Sequence, residues 1–131
     1  MMLVLVIGLP GTGKTTYCRE HLGDGLAYDL DAIASAFRLR APHEETHEVS
    51  RRMANDMLWG FIGEANKRAS LVFIIRTAPT VDELEDIAPD RVVFCKTQRK
   101  AVPIERENKM RERIGVALDW CEIQNIPIEV I

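Results

Sequence analysis

Gly8, Gly13, Lys14 and Thr15 fall on the spacing G-x-x-x-x-G-K-[ST], with Leu9, Pro10, Gly11 and Thr12 between the outer glycines. Residues of these types at this spacing suit the wrapping of an anion. Glycines let successive backbone N–H groups turn inward at positions where Cβ atoms would block them. The lysine reaches the β- and γ-phosphates as a point charge, and the hydroxyl that follows it can ligate Mg²⁺. We therefore read Gly8, Pro10, Gly11, Thr12, Gly13, Lys14, Thr15 and Thr16 as a phosphate-binding loop for ATP or another nucleoside triphosphate, with Thr15 on the metal. The flanks agree with this. Met2–Ile7 is an apolar run suited to a strand covered on both faces, and Thr16–Leu22 continues as a helix that stops at Gly23. Strand, glycine loop and helix together aim a helix N-terminus, with its partial positive charge, at the phosphates.

Further groups could do chemistry. Asp29 and Asp31 stand two apart at the carboxyl end of a short strand read over Leu26–Leu30, where open parallel sheets place their ligands. Asp31 also reads as the N-cap of a helix over Ala32–Phe37. Arg76 closes the apolar strand Leu71–Ile75; it either holds an anionic acceptor at the sheet's edge or pairs with Asp29 or Asp31. Between Arg91 and Arg113 bases outnumber acids by five, on a chain whose net charge is −3. Such a basic segment on an acidic body suits an anionic ligand better than a long duplex, and a solvated helix face laced with i,i+4 pairs is the alternative. His43-Glu-Glu-Thr-His47 satisfies H-E-x-x-H, which on a helix would aim two imidazoles at Zn²⁺. No third ligand is evident, since His21 and Cys18 lie together on the helix after the loop, so the acidic first turn of a long helix is the simpler reading.

These groups need a frame. A chain of 131 residues makes one domain, residues 1–131, with a single core. Apolar content of 47% and charged content of 28% are ordinary for a soluble protein, with no run long enough for a membrane span and no signal peptide, so we expect a cytoplasmic protein without membrane partners. Three scattered cysteines, Cys18, Cys95 and Cys121, argue for buried reduced thiols. After the second strand and its helix, Pro42 breaks the chain. The longest helical pattern then runs from His43 to Arg68, with Val49, Met53, Met57, Phe61 and Ala65 at fourfold spacing, Ala54, Leu58 and Ile62 beside them, and Glu48, Arg52, Asn55 and Lys67 on the polar face. Thr80-Val-Asp-Glu83 is a capping box opening a short helix, Arg91–Cys95 a fourth strand, Pro103 the start of a helix to about Gln124, and Ile126–Ile131 a fifth strand. Trp59, Trp120, Phe37, Phe61, Phe73 and Phe94 read as core and packing residues. Alternating strands and helices predict an α/β three-layer sandwich around a mostly parallel five-stranded sheet.

With the loop, the Asp29-Leu-Asp31 pair and the late basic segment together, the chain resembles the P-loop kinase group, which includes nucleoside monophosphate, shikimate and gluconate kinases and polynucleotide 5′-kinases. Lys14-Thr-Thr-Tyr-Cys-Arg-Glu20 is similar to the first helix of the polynucleotide kinases. The resemblance implies a P-loop NTPase fold with strand order 2-3-1-4-5, and transfer of the γ-phosphoryl of ATP to a hydroxyl acceptor. It implies Asp29 as the Mg²⁺-side acid, Asp31 as the base, Lys14 and Arg106 as catalytic cations, and Arg99 and Arg111 as further lid arginines in a segment around 96–113. Nucleic acid enters only as a substrate end. One feature departs from the wider pattern, in that Arg76 stands where a strand-end acid usually holds metal. That weakens a motor-type ATPase reading and leaves room for a kinase that uses Asp29. Two other classes stay open: an NTP hydrolase coupled to a protein or DNA partner, and a nucleotide-binding module without turnover.

Overall fold

Met2–Ile7 forms strand β1, in which Leu3 to Ile7 are almost wholly buried, as expected of an apolar run covered on both faces. The remaining strands are β2 (Leu26–Asp29), β3 (Leu71–Arg76), β4 (Arg91–Phe94) and β5 (Ile128–Val130). The helices are α1 (Lys14–His21), α2 (Leu30–Ala36), α3 (Glu48–Arg68), α4 (Val81–Ile87) and α5 (Ile104–Ile123). These coordinates come from a computed structural model, which describes residues 1–41, 47–97 and 101–131. The strands lie in the order β2-β3-β1-β4-β5, and every pairing is parallel. Both the α/β class and the strand order agree with the sequence expectation.

The handedness of the crossovers decides which face each helix covers. A parallel crossover is almost always right-handed. The step from β1 to β2 runs toward one edge, whereas the steps from β2 to β3, β3 to β4 and β4 to β5 all run toward the other. Accordingly α1 covers one face alone, where Tyr17 and Cys18 pack on Val4, Val6, Phe73 and Val93. On the opposite face Leu3, Leu5, Ile7, Val72, Ile74 and Val92 meet side chains of all four remaining helices, among them Ala34, Leu58, Leu84 and Ile114. Strand residues alternate between the two clusters with the period of two that a pleated strand imposes.

Helix α3 is rotated from the orientation its periodicity suggests. Ser50, Ala54, Leu58 and Ala65 are its buried residues, while Val49, Met53 and Met57 are 61%, 48% and 51% exposed. Ser50, Ala54 and Leu58 lie one residue, about 100° of helix, from the expected Val49-Met53-Met57 line, with Ala54 and Leu58 expected beside that line and Ala65 on it. The Tyr28 hydroxyl donates to the Ala54 carbonyl on this side of the helix. Asn55, assigned to the polar face, also turns inward and accepts from Arg76. Phe37 and Trp59 are each 41% exposed, where core positions were expected. Phe73 is buried, and Phe61, Phe94 and Trp120 are partly so.

All three cysteines are free and buried. Among the described residues no helix is long and apolar enough to cross a membrane. The rotation of α3 is open to direct test. Leu58→Ala should cost ~2–5 kcal/mol in urea unfolding, since it empties a fully buried site. Met57→Ala should cost less than ~1 kcal/mol. Equal losses would place Met57 in the core after all.

Candidate functional site

The segment from Gly8 to Lys14 spans the carboxyl ends of β3 and β4. The Gly8 amide donates to the Thr77 carbonyl at 3.1 Å, and the Cys95 amide donates to the Ile7 carbonyl at 2.9 Å. This stitching brings Gly8 against β4 so closely that a Cβ on it would lie 2.5 Å from the Cys95 carbonyl oxygen and 2.7 Å from the Thr12 hydroxyl. The Thr12 hydroxyl in turn donates to the Leu9 carbonyl at 2.8 Å, which draws the loop into a ring. Gly13 then takes a left-handed conformation, φ 86° and ψ 21°, and α1 begins at the next residue. Among the described residues the amides of Gly11 to Thr16 donate to no backbone carbonyl; the first to do so is Tyr17, onto Gly13 at 2.9 Å. Amides left without a backbone acceptor at a helix N-terminus are donors that can take an anion.

Lys14 folds back over this ring. Its Nζ donates to the carbonyls of Gly8 at 2.8 Å and Leu9 at 2.9 Å, which occupies two of its three N–H donors. Burial pushes the ammonium below the ordinary lysine value, and the negative forms of Cys95, Asp29 and Asp31 partly offset that push.

Asp29 links the loop to the next helix. Strand β2 ends one residue earlier than expected, so Asp29 rather than Asp31 is the N-cap of α2. Its Oδ1 accepts from the amides of Asp31 at 3.1 Å and Ala32 at 3.3 Å. Its Oδ2 accepts from the Thr15 hydroxyl at 3.3 Å. A carboxylate oxygen and a hydroxyl oxygen thus face one another beside the amide ring, an oxygen-donor pair of the kind Mg²⁺ uses. Asp31, released from capping, sits in the first turn of α2 and lines the cavity described next.

A cavity of about 660 Å³ opens over the carboxyl ends of the strands and brings together Lys14, Thr15, Asp29, Asp31, Arg76 and Arg106. Its volume falls within the range of small-molecule sites. On the α5 side Arg106 is joined by Lys109 and Arg113, neither of which was singled out from sequence. Arg111 lies elsewhere. It pairs with Glu107 at 3.3 Å and lines a second cavity of about 170 Å³, with Leu9, Phe94 and Ile114. Arg99 lies outside the described residues.

Arg76 has neither of the carboxylate partners expected for it. Its guanidinium is ion-paired with Glu83 and donates to Asn55 Oδ1 at 3.0 Å. Burial lowers its pKa, Glu83 opposes this, Arg51 adds to the lowering and Asp31 opposes it. The capping box at Thr80 is consequently half used. The Glu83 amide donates to the Thr80 hydroxyl at 3.2 Å, but the Glu83 carboxylate turns to Arg76.

Of the H-E-x-x-H segment only His47 lies among the described residues, and it stands before α3 and not within a helix. His47 is the N-cap of α3 in an extended conformation, φ −132°, with Nδ1 accepting from the Ser50 amide at 3.2 Å. Residues 42–46, with His43 among them, lie outside the described residues. Among the described residues no group of three His, Cys, Asp or Glu side chains is placed to hold a metal.

No protein-family model matches the chain, and no curated protein matches it. The geometry of the loop must therefore be tested on its own terms. Gly8→Ala should lower stability by about 1–3 kcal/mol in urea unfolding, because its Cβ has nowhere to go. Gly60→Ala, with open space around its helical Cβ, should raise stability by ~0.5–1 kcal/mol. A Gly8→Ala midpoint equal to wild type would show that the loop does not close on Cys95.

Proposed function

We propose that the chain is a small P-loop kinase, which binds Mg²⁺ and ATP, or another nucleoside triphosphate, and transfers the γ-phosphoryl to a hydroxyl acceptor. The observation that carries this reading is the single cavity joining the amide ring and Lys14 to the Thr15–Asp29 pair and to Asp31. The unpaired amides of Gly11 to Thr16 take the phosphate oxygens, and Lys14 exchanges its carbonyl partners for them. Thr15 and Asp29 would hold Mg²⁺, which when bound draws charge off the phosphates. Arg106, Lys109 and Arg113 close the triphosphate from the α5 side.

In the transfer the acceptor oxygen bonds to the γ-phosphorus while the bond from that phosphorus to the β–γ bridging oxygen breaks, and the nucleoside diphosphate leaves with that electron pair. The acceptor's proton passes to Asp31. Positioning and charge stabilisation supply most of the rate in such a reaction, so the protein needs little more than these groups. Arg76 in its clasp with Glu83 argues against a motor-type hydrolase, because a cation ends the strand where an acid would hold metal and orient water. A nucleotide-binding module without turnover is the outcome if no acceptor is ever phosphorylated.

Two variants separate the carboxylates. Asp31→Asn should lower transfer by ~10²–10⁴-fold, measured with labelled ATP against a panel of alcohols, while nucleotide affinity stays within about threefold. Retained wild-type turnover would remove Asp31 from the mechanism. Asp29→Asn keeps a competent N-cap, so its unfolding midpoint should stay near wild type, whereas the Mg²⁺ dependence of nucleotide binding should weaken at least tenfold. An unchanged Mg²⁺ dependence would move the metal away from Asp29.

A further inference from the structure

The second cavity, of about 170 Å³, plays no part in phosphoryl transfer as described above, and it shares no lining residue with the first. Leu9 from the glycine loop, Phe94 from the end of β4, and Ile114 and Leu118 from α5 give it an apolar interior. All four belong to the core cluster on the α5 face of the sheet or pack against it, opposite the face that α1 covers. The cavity therefore lies behind the loop whose amides open toward α1. Leu9 is the residue common to both sides: it is only 3% exposed as it lines the cavity, while its carbonyl accepts from Lys14 and Thr12.

The mouth has a different chemistry. Lys96 and Gly115 are exposed, and the Arg111 side chain is 53% exposed, so these three lie on the solvent side of the cavity. Glu107 pairs with Arg111 at 3.3 Å and offsets its charge, whereas Lys96 forms no ion pair among the described residues. Gly115 leaves the mouth open, since a Cβ built on it would meet no atom within 4 Å.

Size and lining together select an occupant. An apolar cavity of about 150 Å³ lined by Leu, Ile and Phe stays dry and takes up one benzene ring. Nucleotide-sized ligands need roughly 300 Å³ or more, so this cavity is too small for one. A single ring fits, with Phe94 as an aromatic wall. A cation at the mouth favours a ring that carries one negative group at its outer end, where the charge stays hydrated on one side and meets Lys96 on the other. We propose that this cavity is a binding site for a small aromatic monocarboxylate, separate from the nucleotide site. The inference rests on the cavity and its mouth and not on the kinase reading.

Benzoate is the probe, titrated calorimetrically into the full chain. It should bind saturably, about tenfold more tightly than acetate, which lacks the ring. It should also bind about threefold more tightly than benzyl alcohol, which lacks the charge. Lys96→Gln should erase that second difference and leave benzyl alcohol unaffected. Gly115→Leu fills the mouth and should weaken benzoate about tenfold, with an unfolding midpoint at or above wild type because a helical glycine is replaced. A carboxylate can also enter the glycine loop, so the titration is repeated on Lys14→Ala, where benzoate affinity should stay within about threefold of wild type. In spectra of the ¹⁵N-labelled chain, benzoate should shift the Leu9 and Gly115 amides most. The site is overturned by absence of saturable benzoate binding, by its loss on Lys14→Ala, or by wild-type affinity in both Lys96→Gln and Gly115→Leu. Benzyl alcohol binding as tightly as benzoate would overturn the carboxylate assignment. A chain that takes up benzoate in this way but binds no ATP would sink the kinase reading and leave this site standing.

Discussion

Backbone amides without a backbone acceptor, from Gly11 to Thr16, set the conditions for everything around them. Unpaired amides near a protein interior are costly unless water or a ligand satisfies them. Here such amides gather in one ring, shaped by a left-handed Gly13 and by the close approach of Gly8 to Cys95. The apolar strand before the ring and the helix after it leave it little freedom to relax. Lys14, drawn over Gly8 and Leu9, adds a positive charge beside the ring.

The parallel sheet turns this local feature into a site. Because all five strands run the same way, their carboxyl ends finish along one edge, and the side chains leaving them converge. Asp29 leaves β2 and ties α1 to α2, one oxygen on Thr15 and the other on the amides that start α2. Arg76 leaves β3, where Glu83 and Asn55 fix its direction. The cavity therefore has cations on two walls, with the carboxylates of Asp29 and Asp31 between them.

Much of this is legible in the sequence because strong local patterns carry it. Buried strands read as apolar runs, the glycine-lysine spacing as an anion ring, and the strand-helix alternation as a parallel sheet. The strand order came from resemblance to a kinase group and not from periodicity. What could not be read depends on choices between equivalent local patterns. Ala54 and Leu58 are legible as part of the apolar face of α3, whereas the burial of Ser50 and the exposure of Val49, Met53 and Met57 follow from how α3 sits on Tyr28 and the sheet. Glu83 satisfied a capping-box rule that left its carboxylate's actual partner, seven residues away, unseen. The basic helix is a different case, since its face was available from arithmetic. Arg106 and Arg111 are five residues apart, about 140° around a helix, whereas Arg106, Lys109 and Arg113 share one side.

The most direct test is to watch the ring itself while Mg²⁺ and ATP are titrated, using amide resonances of the ¹⁵N-labelled chain. If the loop grips a triphosphate, the amides of Gly11, Gly13 and Lys14 should shift saturably and further than any others, and Lys14→Ala should abolish the response. Absence of saturable shifts at those amides in the wild-type chain would contradict the proposal that this ring binds a nucleotide.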